Sequence, residues 1–119
     1  MKTKKISKAY FKRFCASFEE WQRKLGLTQY EVRFHHKCEK GYFAQITIQE
    51  SQKAADVYLM TENEGKSIEI DEGPESHAKH EAIHLLLHRL VWLGQARYVE
   101  RDDLDEEWEA LVRRLEKVL

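Results

Sequence analysis

The segment from about Glu75 to Leu93 is apolar on nearly every side when wound as a helix, and Gly94 ends it. A helix without a wholly polar side has to be enclosed by the rest of the molecule. The segment therefore predicts the central helix around which the other elements pack. Asp71-Glu72-Gly73-Pro74 breaks the preceding pattern and sets Pro74 where helices begin. The longest apolar run inside it, Ile83 to Leu93, is interrupted by His84, His88 and Arg89. It falls far short of the ~20 residues of a membrane span, so no membrane role is expected.

Within this helix stands His80-Glu81-Ala82-Ile83-His84, an HExxH sequence. Histidines four apart on a helix differ by about 40° in azimuth and ~6 Å in rise, so their imidazoles can converge on one tetrahedral zinc. Glu81 lies about 100° round from His80, beside that ion, where a carboxylate can act as general base toward water. A catalytic zinc needs a third protein ligand and an open position. The metzincin continuation would place Gly at 87 and His at 90, where this chain has Leu87 and Leu90. His88 is ~12 Å of axial rise from His80 and fits no better.

The third ligand is then a carboxylate from elsewhere. The polar connection Gln95 to Arg101 leads into a last helix opened by Asp102, Asp103, Asp105 and Glu106, which carries Leu104, Trp108, Leu111, Leu115 and Leu119. Acids in its first turn and Lys117 in its last complement the helix dipole. Candidates there are Asp105, Glu106, Glu107 and Glu109. Glu106 points opposite the Leu104, Trp108, Leu111, Leu115 stripe, and helical geometry alone does not separate the others.

Toward the N-terminus, Phe11, Phe14, Phe18, Trp21 and Leu25 recur at spacings of three and four, with Gly26 as a left-handed cap: a first helix over Ser7 to Leu25. Its polar face is basic, through Lys2, Lys4, Lys5, Lys8, Lys12 and Arg13, and is read as solvated. Tyr30 to Lys37 and Tyr42 to Gln49 alternate with a period of two and read as strands, with Lys40-Gly41 suiting a hairpin turn. A third strand is expected over Ala54 to Met60 and a weaker fourth over Ser67 to Ile70. The architecture predicted is α+β: N-terminal helix, small mostly antiparallel sheet, HExxH helix and C-terminal helix.

With 119 residues, 42% hydrophobic and 34% charged, the chain predicts one domain over residues 1–119 and excludes a disordered or low-complexity protein. A formal net charge of -1 lacks the basic excess of a dedicated nucleic-acid binder. Cys15 and Cys38, without CxxC spacing, support neither a disulfide framework nor a thiolate zinc site. The basic start, Met1 to Lys8, leads into no apolar h-region, so a cytoplasmic protein is expected.

The chain resembles the small gluzincin-type metallopeptidases, including the ImmA/IrrE-like proteins and minimal prophage-encoded relatives. Trp21-Gln-Arg-Lys-Leu-Gly-Leu-Thr-Gln-Tyr30-Glu-Val looks like the helix-to-strand entry of the phage members. His80-Glu81-Ala-Ile-His84-Leu-Leu-Leu looks like their active-site helix, and Glu109-Ala-Leu-Val-Arg-Arg-Leu like the later helix that donates a glutamate ligand. The resemblance implies a zinc-dependent peptidase with His80, His84 and Glu109 as metal ligands and Glu81 as general base. It also implies peptide or protein substrates lying extended along an edge strand, for which Ala54 to Met60 is the candidate. A counterpart of the longer members' recognition domain is not expected within these 119 residues. The competing reading is a catalytically silent zinc-binding module in phage-host regulation, and the sequence leaves the oligomeric state open.

Overall fold

The computed structural model describes residues 3–37, 42–64, 73–96 and 98–119. The elements are β1 (Thr3–Lys5), α1 (Lys8–Lys24), β2 (Glu31–His36), β3 (Ala44–Gln49), β4 (Ala54–Leu59), β5 (Glu62–Glu64), α2 (Pro74–Gln95) and α3 (Arg101–Val118). A 3-10 turn, Glu50–Gln52, joins β3 to β4. The fold is α+β, with α2 at its centre: α1, α3 and β3 all pack against it.

Helix α1 begins where Ser7 Oγ accepts the Tyr10 N–H at 3.0 Å. It ends in a Schellman turn, with Leu27 N–H donating to Gln22 O at 2.8 Å and Gly26 N–H to Arg23 O at 3.1 Å. That turn requires the left-handed backbone Gly26 supplies, at φ 69°. The aromatic stripe does what its spacing predicts, since Phe14 and Phe18 are fully buried. Cys15 lies beside them as a free thiol, its pKa pushed up to about 11 by burial first and by nearby Glu19 second.

The central sheet corrects two expectations. Its order is β2-β4-β3, with β4 parallel to β2 and antiparallel to β3, so β2 and β3 form no hairpin and the sheet is mixed. The segment proposed as a substrate-binding edge, Ala54 to Met60, contains the central strand and has both edges paired. The reason lies in its side chains: Ala54, Ala55, Val57 and Leu59 are all buried, and the strand with least to offer water belongs in the middle. Its neighbours β2 and β3 keep one polar face and take the edges. The expected turn at Lys40-Gly41 and the fourth strand over Ser67 to Ile70 fall outside the described residues, as does Cys38.

The inner face of the sheet aligns Val32, Phe34 and His36 with Ala55, Val57 and Leu59, and these with Ile48, Ile46 and Ala44. Helix α1 covers it, with Phe18 edge-on to Phe34 at 5.5 Å and Phe11 stacked on His36 at 4.6 Å. On the outer face Asp56 accepts Arg33 Nη2 at 3.1 Å and lies 2.9 Å from His35 Nε2. The hydrogen bond to His35, ahead of the Arg33 charge, holds the Asp56 carboxyl below its ordinary value. A separate two-stranded ladder, β1 with β5, had no signal in the sequence because its short strands carry no apolar alternation.

Helix α3 departs from its predicted stripe. Leu111 is buried and Leu104 and Leu115 are half-buried, but Trp108 is 65% exposed and Glu107 is buried instead, at 9%. Glu107 turns inward because Arg89 of α2 meets it, with Nε 3.3 Å from Oε2.

Candidate metal centre

Helix α2 is less enclosed than its composition suggests. Pro74, Ala78, Glu81, Ala82, Leu85, Leu86 and Leu93 form its buried side. Ala78 and Ala82 have no exposed surface and let α1 approach closely. The opposite side, His80, Ile83, His84, Leu87 and Val91, is exposed.

On that open side His80 Nε2 and His84 Nε2 lie 3.2 Å apart, with ring centroids 4.8 Å apart and planes inclined at 76°. Two nitrogens each about 2.05 Å from one tetrahedral ion would be roughly 3.3 Å apart. The donor set thus has the bite that zinc demands. At this separation either one ring donates its N–H to the other's lone pair, or both lone pairs address one cation.

Glu81 is buried at 6% exposure. Burial raises its carboxyl pKa, opposed by the positive influence of His84, His80 and His77 in that order. Glu81 itself lies on the buried side of α2, about 100° round the helix from His80. His77 is itself held by Phe43, ring centroids 4.5 Å apart.

The acids of α3 stand further off. Glu109 is exposed and pairs with Arg113 at 3.4 Å, and Asp105 with Arg101 at 3.9 Å. Glu106 is exposed. Only Glu107 of the four turns inward, and its Oε1 is buried without a hydrogen-bond partner. Among the described residues no third His, Cys, Asp or Glu gathers with the histidine pair into a group able to hold an ion.

One turn beyond His84 lies a polar cluster that the sequence did not signal. Glu50, with its side chain 2% exposed, accepts the Tyr30 hydroxyl at 2.7 and 2.9 Å and Lys53 Nζ at 2.9 Å. His88 Nδ1 lies 3.5 Å and Arg89 Nη1 3.7 Å from the same carboxylate. Arg89 therefore bridges Glu50 to Glu107, tying the end of the sheet to both later helices. Burial pushes the Glu50 carboxyl up, but hydrogen bonds from Lys53 and Tyr30 and the charges of Lys53 and His88 outweigh it, and the net pKa is lowered. Tyr30 is raised, by burial first and then by its bond to Glu50.

Comparison with known protein families, with curated proteins and with solved structures finds no match to this chain. Among the described residues no helix is long and apolar enough to cross a membrane.

Proposed function

We propose that the chain is a zinc-dependent metallopeptidase of the gluzincin type, similar to the minimal prophage and ImmA/IrrE-like proteins and working in the cytoplasm. The observation that carries this reading is the convergence of His80 Nε2 and His84 Nε2 to 3.2 Å, with Glu81 buried on the turn between them. His80 and His84 hold the metal, and the resemblance assigns Glu109 as the third ligand. Zinc there supplies polarisation of the scissile carbonyl and a more acidic attacking water. Glu81 takes the water's proton on its carboxylate and passes it to the nitrogen of the leaving amine. The substrate is a peptide or protein.

A second reading, a silent zinc-holding module in phage-host regulation, is favoured by the exposed Ile83, Leu87 and Val91 beside the histidines. Metal analysis and a peptide-library digest separate the two. Wild type is expected to hold about one zinc and to cleave. His80→Ala loses most of the metal. Glu81→Gln keeps it and loses at least ~100-fold in rate, the usual worth of a general base. Cleavage by Glu81→Gln at the wild-type rate overturns the hydrolase reading, and retained zinc with no turnover in wild type supports the module. Glu109→Gln and Glu107→Gln, assayed for zinc side by side, decide the third ligand: loss is expected in Glu109→Gln, and loss confined to Glu107→Gln transfers the role.

A further inference from the structure

Strand β2 is one edge of the central sheet, and its outer edge pairs with no other strand among the described residues. Glu31 N–H donates to Lys53 O at 2.8 Å and Lys37 N–H to Leu59 O at 3.0 Å, so the odd-numbered residues of β2 address β4. By alternation, the N–H and C=O groups of Val32, Phe34 and His36 point outward. An open groove of about 250 Å³ runs beside this edge, lined by Glu19 and Arg23 of α1, Thr28, and the half-buried Val32 and Phe34. Among the described residues two of the usual protections of an edge are missing, since β2 holds no proline and pairs with β4 residue for residue without a bulge, and its charges sit mainly at its ends.

We propose that this edge is a homodimer interface, in which β2 pairs antiparallel with β2 of a second copy to join the two sheets into one. The occupant is identified by charge. Glu31 opens the strand and Lys37 follows its end, both exposed and neither in an ion pair among the described residues. An antiparallel partner of the same sequence sets each Glu31 opposite the partner subunit's Lys37. A parallel copy would set like beside like.

The register that makes this match places Phe34 on the two-fold axis and Val32 opposite the partner subunit's His36. Every outward-facing residue then meets an outward-facing residue, and each such pair exchanges both backbone hydrogen bonds. Phe34 and Val32 lose their remaining contact with water on the inner face. On the outer face Arg33 nears the partner subunit's His35, a contact made tolerable because Asp56 of its own chain already neutralises each Arg33. The interface is isologous and closes, so it yields dimers and not fibres. It uses none of the residues assigned to the metal centre and stands whether or not the chain is a peptidase.

Sedimentation velocity of the full chain over a wide concentration range tests the proposal. Wild type is expected to shift from 14.2 kDa toward twice that mass. Glu31→Lys alone and Lys37→Glu alone each put like charges opposite at both ends of the ladder and should weaken association about tenfold. An equimolar mixture of the two restores opposite charges at both ends and should associate as tightly as wild type. Val32→Pro, which removes an outward N–H and no bond to β4, should sediment as a monomer. A wild type that stays at 14.2 kDa throughout overturns the proposal, as does a mixture no tighter than either variant alone. Because both charge variants lie on the surface, circular dichroism at the wild-type level is expected of each.

Discussion

Replacing Glu50 by Gln separates charge from shape at the cluster that joins the sheet to the two later helices. The amide keeps the volume and can still accept the Tyr30 hydroxyl, but it no longer attracts Lys53, His88 or Arg89. A hydrogen bond to a charged group contributes about 1.5–3 kcal/mol, and removing one member of a wholly buried pair costs about 3–5 kcal/mol. Lys53 and Arg89 are 39% and 43% exposed in their side chains, so water recovers part of the loss. A cost of about 2 kcal/mol follows, equivalent to a fall of roughly 8 °C in Tm for a chain of this size.

The pH dependence provides the sharper check. Because the folded pKa of Glu50 is lowered, its ionised form contributes stability that is fully present above the unfolded glutamate value of about 4.3. That contribution is lost as pH falls through the lower folded value. Urea denaturation at a series of pH values should therefore show a constant gap between wild type and Glu50→Gln near neutrality, closing progressively below about pH 4.3. A gap under about 0.5 kcal/mol at pH 7, or one that widens in acid, would refute the reasoning, since a surface ion pair of no consequence gives the first and a carboxyl better off protonated gives the second.

Two further substitutions probe the packing and the termination of α1. Phe18→Ala empties a fully buried site against Phe34 and should cost about 3–5 kcal/mol in urea denaturation, and a loss below 1.5 kcal/mol would mean that α1 is not seated on the sheet as described. Gly26→Ala forces a left-handed backbone at φ 69° on a residue with a Cβ, yet the nearest heavy atom to that Cβ is Arg114 Nε at 3.9 Å, an ordinary contact. The cost should be the backbone strain alone, about 1–2 kcal/mol in Tm-derived stability, and no loss at all would put the Schellman turn in doubt.

What could be read from the sequence was what depends on neighbours along the chain. His80, Glu81 and His84 fall together because one turn of helix sets their spacing, and the same arithmetic placed Phe14 and Phe18 in the core. Ser7 and Gly26 marked the ends of α1 through local hydrogen bonds. Strand order was different in kind. Val32 to His36 and Ala44 to Ile48 carry the same alternation as Ala55 to Leu59, and alternation says which face is inward without saying which strand lies between the other two. Only burial on β4 decides that, and burial belongs to the assembled molecule.

The last helix makes the point most directly. Leu104, Trp108, Leu111 and Leu115 fit one stripe by hydrophobicity, and the helix is nonetheless rotated to bury Glu107 and expose Trp108. A half-exposed guanidinium on α2, Arg89, already near Glu50, meets the Glu107 carboxylate there, so the buried acid keeps a charge partner while the Trp108 indole goes to solvent. The same bridge fixes where Glu109 can be. Two positions on from Glu107, its Cα is turned about 200° around the helix, on the side where Arg113 holds it. For Glu109 to join His80 and His84, α3 must rotate or roll on α2 and the Arg89–Glu107 contact must break. Arg89→Met, which removes the guanidinium but keeps an apolar stem, should then favour that rotation, and zinc affinity is expected to rise in it if Glu109 is the third ligand. An affinity that is unchanged or falls argues against Glu109 as the third ligand.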